Sequence, residues 1–218
     1  LNAITYANTY NKNIHLMGLV SDGGVHSHIN HLIGLCEILK EKNANMDKVF
    51  IHAFTDGRDC DPKSGSGFIN KLESTLKITG GKIASVCGRY FAMDRDKRWE
   101  RIKLAYDLLI NGVGTPTKDP AKSLEDNYKA DITDEFIKPI VCVDDNNEPI
   151  TKIIAGDVVI VFNFRTDRCR QITSVLTQHD FPEFEMFKKD LYYITMSMYD
   201  HSWTNIGVLF EKQDITKT

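Results

Sequence analysis

The 218 residues of this chain suffice for one large domain, or a domain with a subdomain, and for a core that needs no covalent staples. With 42% apolar and 26% charged residues and a formal net charge of -3, the composition is that of a globular protein and carries no overall basic field for nucleic acid. No apolar run approaches membrane-spanning length and no signal-peptide pattern opens the chain, so neither a membrane nor a nucleic acid is an expected partner.

The chain opens on Leu1 in what reads as mid-helix, with Leu1, Ile4 and Ala7 at three-residue spacing, and the expectation is a fragment of a longer protein. A strand follows over Ile14–Val20, then an amphipathic helix with Leu32, Leu35, Cys36 and Leu39 on one face. The pattern repeats: a strand at Val49–Phe54 and a helix through Ile69, Leu72 and Leu76, then a strand at Ile83–Cys87 and a helix through Trp99, Ile102, Ala105, Tyr106 and Leu109. From Gly112 to Asp157 the rhythm breaks. Asp119 and Pro120 open a short helix there, and extended runs around Val141 and Ile153 flank the turn-rich Asp144-Asp145-Asn146-Asn147, which reads as an inserted subdomain (112–157) carrying a hairpin. A strand at Val158–Phe162, a helix through Cys169, Ile172, Val175 and Leu176, and a strand at Leu191–Met196 complete the reading. Short, fully apolar strands alternating with helices predict an α/β fold, a mostly parallel sheet with helices on both faces.

The five cysteines are scattered, with no C-x-x-C, which argues against a disulfide framework and for a reducing, cytoplasmic setting. Cys36, Cys87 and Cys169 fall in apolar patterns and read as small core residues.

In open α/β sheets ligands bind beyond the carboxyl ends of the strands. The first four main strands are followed by Ser21-Asp22-Gly23-Gly24-Val25-His26-Ser27-His28, Thr55-Asp56-Gly57-Arg58-Asp59, Gly88-Arg89-Tyr90-Phe91-Ala92-Met93-Asp94-Arg95 and Asn163-Phe164-Arg165-Thr166-Asp167-Arg168. These segments are expected to share one edge and to gather five arginines, residues suited to bidentate recognition of carboxylate or phosphate. Asp94 is a plausible N-cap that puts Arg95 in a first helical turn, and Thr166 or Asp167 would do the same for Arg168; a bound anion would then offset the clash of each cation with the helix dipole. The bland alternative pairs these arginines with Asp94, Asp96 and Asp167 on a solvated surface. No Walker or dinucleotide fingerprint is present, and no G-x-S-x-G. His26 and His28 invite a metal-dependent hydrolase reading, but no further histidine–carboxylate pair at ligand spacing follows; a non-catalytic anion-sensing module is a third reading. His15, His52, His179 and His201 stand isolated and receive no role.

Taken in this order, the strings from Gly18 to His28, His52 to Asp59, Gly88 to Arg101 and Phe162 to Arg168 resemble the cofactor-independent (2,3-bisphosphoglycerate-independent) phosphoglycerate mutases. The resemblance implies a two-domain enzyme. A phosphatase-like domain would bind two metal ions, usually Mn2+, and carry a serine that becomes phosphorylated. An inserted α/β domain, to which residues 1–218 would correspond, would bind the glycerate; the likeness runs through nearly the whole chain and is weakest over Lys118–Asn147. It implies substrate binding by His26, Arg58, Asp59, Arg89, Arg95, Arg165 and Arg168, with Asp59 and Arg165 also catalytic, Asp59 moving protons at the glycerate hydroxyls. The serine would take phosphate from 3-phosphoglycerate and return it to the 2-hydroxyl. No metal or other cofactor is then expected in this fragment, which alone would be inactive, and one further family lysine would lie beyond Thr218.

Overall fold

The computed structural model describes residues 1–211. Its strands are β1 (Ile14–Leu19), β2 (Val49–Thr55), β3 (Lys82–Gly88), β4 (Thr115–Thr117), β5 (Ile140–Cys142), β6 (Val158–Val161), β7 (Tyr192–Thr195) and β8 (Ile206–Val208). They form one sheet in the order β4-β5-β3-β2-β1-β6-β7-β8. All neighbours run parallel except β3 and β5. Every residue of β1, β2 and β6 is buried, which is why these strands read as unbroken apolar runs rather than alternating ones.

Two cores sandwich the sheet. On one face α1 (Asn2–Thr9), α2 (Ile29–Glu41), α3 (Gly65–Thr79) and α6 (Pro120–Lys129) pack Ile4, Leu32, Cys36, Leu72 and Leu124 against Ile14, Leu16 and Ile51. On the other, the short α4 (Arg89–Ala92), α5 (Trp99–Tyr106) and α7 (Arg170–Thr177) pack Ile102, Ala105, Ile172 and Val175 against Met17, Leu19, Phe54 and Val159. Asp119 caps α6, accepting from the Lys122 N–H at 2.9 Å, with Pro120 at its first position. His28 caps α2, its Nδ1 accepting from the Asn30 N–H at 3.1 Å.

Three expectations need correction. Leu1 is not on the buried face of its helix but 81% exposed; Ala3, Ile4 and Ala7 make that face. Segment 112–157 adds β4 and β5 to the edge of the main sheet and lays α6 against the same core as α3, so it extends the sheet. Its hairpin shrinks to a single bridge, Val143 to Pro149, because Asp144 spends its side chain and backbone on the turn. And His15 and His52 are not isolated. His15 Nδ1 meets His52 Nε2 at 2.9 Å, His52 Nδ1 meets Ser85 Oγ at 2.8 Å, and His15 Nε2 meets Asp157 Oδ2 at 3.1 Å, a buried polar chain across four adjacent strand positions.

Candidate functional site

Strands β3, β2, β1 and β6 are consecutive and parallel, so their carboxyl ends lie on one edge. The chain winds outward from β1 to β2 and β3 on one side and later to β6 and β7 on the other, which makes β1/β6 a topological switch point. The loops after these two strands are stitched together: the N–H groups of Phe164 and Arg165 both donate to the His26 carbonyl, at 2.9 and 3.2 Å, and Asn163 Oδ1 accepts from the Leu19 N–H at 2.9 Å. Tyr199 and Ser197 hydroxyls hold the Asn163 and Phe164 carbonyls from behind, each at 2.6 Å. The loop after β1 comes so close to the β2 loop that a Cβ on Gly23 would lie 2.7 Å from the Asp59 carbonyl oxygen.

Arg89 is the hub. It is 2% exposed, and its Nη1 donates to Asp56 at 2.5 Å and to Asp59 at 2.6 Å, while Nη2 donates to His26 Nε2 at 3.0 Å. Burial alone would push the Asp56 carboxyl up. Hydrogen bonds from the Asp59 N–H, the Ser21 hydroxyl and Arg89 outweigh that and hold it below its usual range. Because Arg89 occupies Nε2, the proton of the neutral His26 ring is on Nδ1. Burial, then the neighbouring Arg89 charge, lowers the His26 pKa to about 4, so the ring is neutral at pH 7.

A second knot sits on Asp167. Its Oδ2 accepts from Arg95 at 2.8 Å and Arg165 at 3.2 Å, its Oδ1 lies 3.0 Å from Arg165 Nε, and 3.7 Å separates Oδ1 from His26 Nδ1. Arg58, Arg89, Arg95 and Arg168 line one cleft of about 340 Å³ together with Tyr90, Asp94, Arg101 and Glu135. Arg58 is 60% exposed, with Glu135 at 3.4 Å. Burial and the neighbouring charges of Arg89 and Arg95 depress the Arg168 pKa, the signature of a cation placed among cations. A larger hollow of about 620 Å³, lined mainly by Leu35, Ile38, Phe164, Met196, Leu209 and Phe210, is largely apolar and holds no arginine or lysine.

Of the expected site residues, His26, Asp59 and Arg89 are joined with Asp56 in one cluster and Arg95 and Arg165 with Asp167 in a second, the two facing each other 3.7 Å apart at His26 and Asp167, and Arg58 and Arg168 share the adjoining cleft. The helix-turn placements of Arg95 and Arg168 do not hold. Asp94 accepts from the N–H groups of Asp96 and Arg98, both at 3.0 Å, and closes a turn ahead of α5, which starts at Trp99; α7 starts at Arg170. Neither arginine is inside a helix, so no helix dipole acts against them and the loops alone present them. The pairing foreseen by the bland reading is real for Asp167, which holds the half-exposed Arg95 and Arg165, whereas Asp94 pairs with Arg101 instead. Arg101 carried no expected role. Its guanidinium lies 3.7 Å from the Tyr90 ring centroid and 3.4 Å from Asp94. Glu135 was hidden in the irregular 112–157 stretch.

His28 is spent on capping α2 and His26 on Arg89, so the two do not converge as metal ligands. Among the described residues no group of three histidine, cysteine, aspartate or glutamate side chains could hold a metal ion.

A mostly parallel sheet whose switch-point edge gathers guanidinium groups at and beside a small polar cleft defines an α/β protein with an arginine-rich site of a kind that suits an anion. Residues 1–201 match the family described as BPG-independent PGAM N-terminus, and the chain belongs to that family. It is similar to the 2,3-bisphosphoglycerate-independent phosphoglycerate mutases of Flavobacterium johnsoniae (56% identity over all of this chain and 43% of the relative) and Parabacteroides distasonis (54% over 99% of this chain and 42% of the relative). Its fold is similar to a crystal structure of Leishmania mexicana phosphoglycerate mutase at low cobalt concentration, with a TM-score of 0.83, 28% identity, and coverage of 92% of this chain and 39% of that one. The chain thus spans less than half the length of the relatives it matches.

Proposed function

We propose that this chain is the substrate-binding part of a 2,3-bisphosphoglycerate-independent phosphoglycerate mutase, which interconverts 3-phosphoglycerate and 2-phosphoglycerate. The convergence of Arg58, Arg89, Arg95, Arg165 and Arg168 with His26 and Asp59 at one strand-end edge, in a chain of this family, carries the reading. Arginines at the cleft would hold the substrate's carboxylate and phosphate. Arg89 fixes Asp59 through Oδ2; Oδ1 makes no hydrogen bond among the described residues and can accept the proton of a glycerate hydroxyl. Arg165, half exposed, would neutralise charge on the moving phosphoryl group, whose transfer depends mainly on positioning and electrostatics. The serine that carries the phosphoryl group and the divalent metal ions, Mn2+ in this reading, belong to a phosphatase-like domain elsewhere in the full-length protein. That domain is the partner this reading requires. A cytoplasmic setting fits the five unpaired thiols, and no described helix is long and apolar enough to cross a membrane.

The test is kinetic. In the full-length protein, Arg58→Ala and Arg165→Ala are each expected to lower kcat/KM for 3-phosphoglycerate by roughly 100- to 1,000-fold. Near-wild-type kcat/KM in both would overturn the assignment. Binding of 3-phosphoglycerate without turnover by the wild type would favour the anion-sensing alternative.

A further inference from the structure

Asp167 is out of character for a cage that must receive an anion. It is a carboxylate among the site's arginines, and its Oδ2 takes hydrogen bonds from two that the ligand would need, Arg95 at 2.8 Å and Arg165 at 3.2 Å, with Arg165 Nε 3.0 Å from Oδ1. These donors come from separate loops, after β3 and after β6, and His26, from the loop after β1, faces Oδ1. His26 Nδ1 is buried with no hydrogen-bond partner among the described residues; it faces Asp167 Oδ1 at 3.7 Å, too far to bond, while that oxygen is held at 3.0 Å by the Arg165 Nε ion pair. A buried N–H donor left without an acceptor is costly, and a ligand oxygen at this point would satisfy it. By contrast Asp56 and Asp59 are welded to the buried Arg89. Asp167 is 29% exposed and its two arginine partners are each 46% exposed, so its ion pairs are the ones water can loosen.

We propose that Asp167 is the resident counter-ion of the site: its carboxylate occupies the seat of a ligand oxyanion on Arg95 and Arg165, facing His26, and ligand binds by displacing it. The seat takes a carboxylate or phosphate oxygen, which would reach His26 Nδ1–H where Asp167 Oδ1 falls short. In the empty site this arrangement keeps the arginines in place and limits mutual repulsion; in the filled site it competes with product and speeds release. The inference rests on the anion-binding reading given above.

Titration of the full-length protein with 3-phosphoglycerate by calorimetry, in wild type and in Asp167→Asn and Asp167→Ser, tests it. Both substitutions remove the competing charge, and Kd is expected to fall roughly three- to tenfold. The ligand-free variants are expected to melt at lower temperature than wild type while the ligand-induced rise in Tm grows. Asp167→Glu, which keeps the charge, is expected within about twofold of wild-type Kd. Unchanged or weaker binding in the two neutral variants would mean that Asp167 merely orients the arginines, and the inference falls while the functional reading stands. Absence of 3-phosphoglycerate binding by the wild type would remove the functional reading, and this inference with it.

Discussion

At the scale of residues, the buried ion network is where the molecule is most vulnerable. Arg89 serves Asp56, Asp59 and His26 at once, and removing it would strand carboxylates from which water is largely excluded. Arg89→Met is therefore expected to cost about 3–5 kcal/mol in urea unfolding; a loss below about 1 kcal/mol would mean that the network is solvated after all. Histidine protonation gives an independent check. His26 titrates near 6.5 when unfolded and near 4 when folded, so the unfolded chain takes up the proton first. Its contribution is fully present above pH 6.5 and is lost as pH falls from 6.5 towards 4; His52, held far below its ordinary value by burial and then by His15, acts in the same direction. The urea midpoint should decline across that window, and His26→Asn should remove part of the decline. A flat midpoint between pH 7 and 4.5 would contradict both assignments. The sequence disclosed which residue types would meet here but not their partners. Arginine is legible as a partner for anions, whereas its pairing with Asp167 depends on the loops after β3 and β6 meeting, which only the folded geometry shows.

At the scale of elements, the strands were the most legible part, because burial on both faces writes them as continuous apolar runs, and β1, β2, β3, β6 and β7 fall within about two residues of expectation. The helices with clear apolar faces followed for the same reason. What could not be read were helix starts governed by side chains that look like caps. Asp94 has the chemistry of a cap, but two backbone N–H groups and Gln171 Nε2 draw its Oδ2 into a turn that ends before α5 begins. The short β4 and β8, three residues each and interrupted by Pro116 and Gly207, carry too little pattern to be seen without their neighbours. The turn after β2 shows the constraint most sharply. Gly57 has φ +66°, and a Cβ there would lie 2.9 Å from Asp134 Cβ, a residue itself pinned by the Gly65 N–H at 2.7 Å and the Tyr128 hydroxyl at 2.5 Å. Gly57→Ala is expected to destabilise the protein by about 1–3 kcal/mol and to weaken ligand binding through the adjoining Arg58 and Asp59; a variant as stable as wild type by thermal melting would show that the loop has room to move.

At the scale of the whole molecule, the order in which strands are stacked determines both site and stability. The sequence order implied a parallel α/β sheet and a shared strand-end edge. The antiparallel step between β3 and β5, which carries residues 112–157 into the sheet, rests on long-range pairing that no local pattern announces. Amide hydrogen exchange should reflect the layering: slowest in β1, β2 and the adjacent β3 and β6, fast in the edge strands β4 and β8. Equal protection in β8 and β1 would argue against the strand order. The polar chain from Ser85 through His52 and His15 to Asp157 has a consequence of its own. Asp157 already accepts from the backbone N–H groups of Asn13 and Ile154, so His15 Nε2 donates to it, His15 Nδ1 accepts from His52, and His52 Nδ1 accepts from Ser85. All its bonds point one way. Around it the sheet is built almost wholly of apolar residues, which carry little to resist sliding by two positions. A row of vowels can be read from any starting letter; these four side chains are the consonants that give β3, β2, β1 and the entry to β6 a single reading frame, and so bring the four loops of the cleft to the same height.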